Sequence, residues 1–125
     1  MDRKNLLIPI VSLIILIFIM NFLANKFYWY FSIWYFDIIM HFLGGFWLGL
    51  VAVYCFSYQS LSGSPVFKIL AFILLVGLGW EVFEILINNF AGQIPFNIID
   101  TLLDIVFDIS GGLCAILYLW KKLPK

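Results

Sequence analysis

Six of the seven acidic residues (Asp37, Glu81, Glu84, Asp100, Asp104 and Asp108) lie inside stretches that are otherwise apolar enough to cross a bilayer. An ionisable side chain at the centre of a membrane helix costs roughly 2.5 kcal/mol or more, so such groups face a protein interior and mark function or pairing. No Lys or Arg lies deep in these stretches, and the sole histidine, His41, is the only other titratable partner close by. The fold must screen these groups from lipid. Their charge must be balanced by protons, a metal ion or a cationic ligand.

Composition agrees with a membrane setting. The 125 residues are 65% hydrophobic and 11% charged, against about 45–50% and about 25% for soluble domains. The formal net charge is +0, but the signs are segregated: bases lie at the ends and in connectors, acids in the apolar runs. No basic stripe supports a nucleic-acid partner. Cys55 and Cys114 sit in apolar runs, without the spacing of a metal pair or a disulfide framework.

A membrane helix needs about 20 mostly apolar residues. Four spans are expected, at about 6–23, 37–57, 66–89 and 98–120. The expectation is therefore an all-α polytopic membrane protein, four transmembrane helices in one bundle and one domain. The first run follows Arg3 and Lys4 as a signal peptide would, but it is long for one and no small-x-small cleavage site follows, so a retained span is expected. Residues 58–65 (YQSLSGSP) and 91–97 (AGQIPFN) read as polar turns, with Asn97 as a helix cap. Residues 27–36 (FYWYFSIWYF) carry an aromatic density suited to a membrane–water interface.

Four spans place both termini and the second connector on one side. That side holds Arg3, Lys4, Lys68, Lys121, Lys122 and Lys125, and the other only Lys26. The bias of bases toward the cytoplasm predicts a plasma (inner) membrane protein with cytoplasmic N and C termini. The acids then share a depth. At about 1.5 Å per residue, Asp100 is roughly 3 Å, Asp104 roughly 9 Å and Asp108 roughly 15 Å into the fourth span from the outer side. Asp37 and His41 enter at the outer end of the second span, and Glu81 and Glu84 occupy the outer half of the third.

They also share faces. Asp37 and His41 are four residues apart, as are Asp100, Asp104 and Asp108 in succession; Glu81 and Glu84 are three apart, with Asn88 on the same face. Gly44, Gly45, Gly49, Gly77, Gly79, Gly111, Gly112 and Ala115 adjoin these positions, and small residues let membrane helices approach closely. An outer-leaflet cluster is expected, with His41 at its edge.

Simpler accounts compete for some members. Asp37 and Asp100 can serve as helix-start residues. A protonated, mutually hydrogen-bonded network would hold helices together without further function. Trp47 and Trp80 read as packing groups, and Ser110 as a nucleophile only with a Ser–His geometry that sequence does not supply. Glu81, Glu84, Asp104 and Asp108 lie in helix interiors with no capping role, and carry the functional reading.

Three stretches, Asp37-x3-His41-Phe-Leu-Gly-Gly, Gly79-Trp80-Glu81-Val82-Phe83-Glu84 and Asp100-x3-Asp104-x3-Asp108-x2-Gly111-Gly112, together resemble the YjdF-like bacterial inner-membrane proteins and, more distantly, the VanZ-like proteins. The resemblance covers the second to fourth spans. It implies a cell-envelope setting, VanZ-like proteins being linked to glycopeptide resistance. The chain departs from the VanZ-like pattern after Glu84, where it has no Arg or Lys, and Gln93 lies in a different context.

Carboxylates with one His suit a divalent Mg, Mn, Fe or Zn ion. The expected ligands are Glu81, Glu84, Asp104, Asp108 and His41, with Asp37 and Asp100 as weaker candidates. His41 and Glu84 are the candidates for acid–base chemistry. The expected partners are membrane lipids and a lipid or lipid-linked substrate, with a homo-oligomer allowed. A proton or cation pathway and a non-catalytic envelope scaffold with protonated acids remain the alternatives.

Overall fold

The computed structural model describes residues 3–56, 64–90 and 97–120. Among these, all regular structure is helical. A 3-10 turn (Arg3–Leu6) leads into α1 (Leu7–Phe27); then follow the single turn α2 (Trp29–Ser32), α3 (Phe36–Phe56), α4 (Ser64–Phe90) and α5 (Ile98–Trp120). Four helical segments are long and apolar enough to cross a membrane: Lys4–Phe27, Phe36–Phe56, Pro65–Ile87 and Ile98–Trp120. The chain is thus an all-α membrane protein with four candidate spans. Most of the two expected turns, Gln93, the three C-terminal lysines and the side chains of Asn88 and Asn89 lie outside the described residues.

The first helix runs past residue 23, through Lys26, and stops where Tyr28 adopts φ 59, a left-handed conformation. The expected span ends at residue 23, but a helix end at an interface tolerates the polar Asn25 and Lys26. The Tyr28 carbonyl accepts hydrogen bonds from the N–H groups of Phe31 and Ser32, and from the Ser32 hydroxyl. These bonds hold the reversal and start α2. Trp29 and Tyr30 then meet Phe36 edge to face, with ring centroids 5.7 and 5.0 Å apart. At the start of α5, Asn97 caps as expected: its Oδ1 accepts from the Ile99 N–H at 3.0 Å.

α3 and α5 run parallel in the closest contact of the bundle. A Cβ placed on Gly45 would overlap the backbone carbonyl of Asp108, and one on Gly111 would overlap the carbonyl of Phe42. Further along the same seam, Gly49 faces Ala115 and Gly112. Without a hydrophobic drive between helices in lipid, association rests on such backbone-to-backbone packing. α4 runs antiparallel to α5, with Ile73 against Gly112 and Gly77 against Asp108. α1 packs on α3, and among the described residues its Cα atoms stay more than 8 Å from those of α4; the Trp47 indole N–H donates to the Ile10 carbonyl at 3.0 Å.

The two halves of the bundle differ in content. Away from the aromatic turn, Leu50, Val53, Ile69, Ile73, Ala115, Ile116 and Leu119 form a buried apolar core. Toward it, beside Ala24 and Phe36, the buried side chains are the polar His41, Glu81, Asp104 and Asp108.

Candidate functional site

The close seam between α3 and α5 brings His41 against two rungs of the α5 acid stripe. His41 Nδ1 lies 3.0 Å from Asp108 Oδ1, and Nε2 lies 3.3 Å from Asp104 Oδ2. One turn earlier on α3, Asp37 brings Oδ1 to 3.6 Å from the same Nε2. The histidine is therefore at the centre of the cluster rather than at its edge. Its central place comes from the parallel pairing of α3 with α5, which spacing along one helix does not reveal.

Asp108 and Asp104 do different things to the ring. In the tautomer whose Nδ1–H donates to Asp108, the Nε2 lone pair faces the oxygens of Asp104 and Asp37. Three acceptors converging on one point repel unless a proton or metal cation lies among them. Asp108 itself fits behind the ring because Gly77 has no side chain: a Cβ there would lie 2.7 Å from Asp108 Oδ2.

α4 supplies the opposite wall. Glu81 is 5% exposed, a carboxyl oxygen of it lies within 4.8 Å of one of Asp104, and its Oε1 is buried with no hydrogen-bond partner. A buried unpaired carboxylate oxygen is costly in a low-dielectric interior and calls for explanation. Glu84 is half-buried and accepts a hydrogen bond from the Trp80 indole at 2.8 Å. Two sets can each bring ligand atoms within 4.8 Å of one another: Asp37, His41 and Asp104, and Glu81, Glu84 and Asp104. Asp104 belongs to both.

The other expected site residues fall outside these sets. Asp108 stands behind His41. Asp100 is exposed in the first turn of α5, where it lines a cavity near the aromatic turn and suits the positive end of the helix. The Ser110 hydroxyl donates to the Val106 carbonyl at 2.8 Å, as a helix-internal bond. Cys55 and Cys114 are free and exposed on the outside of the bundle.

Two cavities meet at the cluster. One, of about 550 Å³, lies between α1 and α4 over α3, and reaches His41, Glu84 and Asp108. The other, of about 580 Å³, opens between α2, α4 and the start of α5, and reaches Glu81, Glu84 and Asp104. Tyr30, Asp37 and Glu84 border both. The Tyr30 hydroxyl donates to Asn21 Oδ1 at 2.7 Å. Burial pushes the Tyr30 phenol above its ordinary value, and the nearby charges of Asp37 and Glu84 add to this, so it stays a donor.

Sequence reasoning missed Tyr30 and Asn21, whose pairing is tertiary and leaves no local pattern. It read Trp80 as packing only, although Trp80 and Glu84 are four residues apart and that spacing allows their hydrogen bond. Over residues 1–125 the chain matches the family described as "Predicted membrane protein (DUF2238)". No curated protein and no solved structure matches it.

Proposed function

The chain belongs to the DUF2238 family of predicted membrane proteins, and we propose that it holds a divalent metal centre and acts there on a lipid or lipid-linked phosphate of the cell envelope. The observation that carries this reading is the pair of three-ligand sets joined at Asp104, with the unpartnered Glu81 Oε1 on one side and the His41 Nε2 on the other. Mixed carboxylate and imidazole donors suit Mg, Mn, Fe or Zn. Asp37, His41 and Asp104 hold one position; Glu81, Glu84 and Asp104 hold the second. Asp108 acts through His41, as carboxylates behind metal-bound histidines do.

Such an ion polarises a phosphate oxygen or lowers the pKa of bound water. Glu84 borders both cavities and is only half-buried, so it is placed to exchange a proton with water arriving from the outer one. His41 is committed on both nitrogens and is the weaker candidate for that role. The positive bias of the termini supports a plasma-membrane setting with cytoplasmic ends and the site in the outer leaflet. The YjdF-like resemblance supports the envelope context.

The cation-pathway alternative needs a polar continuation beyond Asp108. Next to it come Gly111, Gly112, Ile73 and Ala115, all buried and without titratable side chains. This favours a site that ends in the bundle over one that crosses it.

The test is a thermal melt of purified, chelator-stripped protein titrated with Mg, Mn, Fe(II) or Zn. A ligand at one hundred times its Kd stabilises by about 2.7 kcal/mol. A saturable rise in Tm that is reduced in Glu81→Gln and lost in Asp104→Asn, the ligand common to both positions, is expected. Superimposable melts with and without every ion would contradict the proposal.

A further inference from the structure

The cavity between α1 and α4 has a shape that the metal reading alone does not explain. α3 floors it, α1 and α4 wall it, and among the described residues no Cα of one wall comes within 8 Å of a Cα of the other. Hydrogen bonds frame it at both ends: Trp47 to the Ile10 carbonyl at the deep end, Tyr30 to Asn21 at the outer end. Between them α1 is held beside the bundle without closing on α4. The deep part is lined by Ile17, Phe18, Leu48 and Val76, while the charged groups Asp37, His41 and Glu84 gather at the outer end. All three helices are candidate membrane spans, so the side opening faces lipid.

We infer that this groove seats one acyl chain of a membrane lipid, entering sideways from the bilayer, with its phosphate headgroup at the cluster. The chemical gradient along the groove is that of an amphiphile: an apolar slot leading to a polar head site. Its size fits a chain: from Asp37 to Leu48 the floor is roughly 16 Å long. The cavity offers about 550 Å³, within the range of about 300–1,000 Å³ usual for small-molecule sites. Gly44 lies on the floor with nothing within 4 Å of an added Cβ. Space has thus been left open at a position where a larger side chain could have filled it. The phosphate class of the headgroup rests on the metal reading, whereas the seat of the chain does not.

The experiment uses the full chain in nanodiscs containing a trace of phosphatidylglycerol with a photoreactive diazirine on one acyl chain. Labelled residues are read by mass spectrometry in chelator-stripped and metal-loaded protein. Label at Met40 and Val76 is normalised to Leu75, which is 69% exposed on the bundle surface. Gly44→Leu should lower that ratio at least fivefold in both preparations. Gly79→Leu, also with nothing within 4 Å of its Cβ and outside the groove lining, should leave it unchanged. Should Gly44→Leu fail to fold, Val76→Trp fills the groove from the opposite wall, and Met40 label alone is read.

An unchanged ratio in a folded blocking variant overturns the inference. Chain dimers formed through a photoreactive phenylalanine analogue at position 18, in a parallel preparation without the lipid probe, do so too, since a second copy would then occupy the groove. If label is absent while metal still raises Tm, the groove fails and the metal reading stands; label without any metal effect leaves the reverse. In metal-loaded protein, unlabelled phosphatidic acid should compete with the probe at least tenfold better than diacylglycerol. Equal competition overturns the headgroup assignment.

Discussion

The seam between α3 and α5 and the gap between α1 and α4 are built from similar apolar helices and have opposite designs. At the seam, glycines on both sides put backbone against backbone at Gly45 and Gly111. At the gap, Gly44, one residue away on the same helix, faces open space. The turn of the helix separates the two roles. The seam fixes polar groups that would be costly in lipid, and the gap leaves a route to them. Rigidity is concentrated where ligands must converge, and looseness where something must enter.

The largest expected effect comes from breaking the seam. Leu at Gly45 or Gly111 would have to displace backbone, so the cost should reach or exceed the roughly 1–3 kcal/mol typical of overpacking. Loss of the monodisperse peak in size-exclusion chromatography is expected, with Gly44→Leu eluting as wild type. Equal behaviour of Gly44→Leu and Gly45→Leu would erase the distinction.

A step down in size, Asp108→Asn leaves the helices packed but loosens His41. Its expected effect is a loss of about 10–100-fold in metal affinity, the usual cost of removing the partner behind a metal-bound histidine. Isothermal titration reads this directly. An unchanged affinity would return Asp108 to a purely structural role.

On the side of the gap, Trp47→Phe removes the hydrogen bond to Ile10 that ties α1 to α3. The expected loss is about 1 kcal/mol, with faster amide exchange in α1 and unchanged exchange in α5. The smallest effect belongs to Asp100→Asn, which removes a charge from an exposed first turn of α5. A change of a few tenths of a kcal/mol in denaturant stability is expected. A large one would place Asp100 inside the site.

The spans and the convergence of acids were legible because both follow from local rules. Apolar run length sets a span, and the three- and four-residue spacing of Glu81, Glu84, Asp104 and Asp108 sets a face. The central position of His41 was not legible, since it depends on which helices pair and in which direction. The same holds for the gap. Composition makes α1 the most apolar helix, and nothing in that composition says that it packs on α3 and α2 but stands apart from α4. Helix ends were read less well where capping was unusual. Asn97 announces itself as a cap, but Tyr28, in a left-handed conformation without a glycine, does not.

The most direct measurement is the metal content of the purified protein, by inductively coupled plasma mass spectrometry after loading and desalting, for wild type and Asp104→Asn side by side. Asp104 is the ligand common to both sets. The account predicts one to two divalent ions per wild-type chain and a near-complete loss in a folded Asp104→Asn variant. Equal, substoichiometric metal in the two proteins would contradict it.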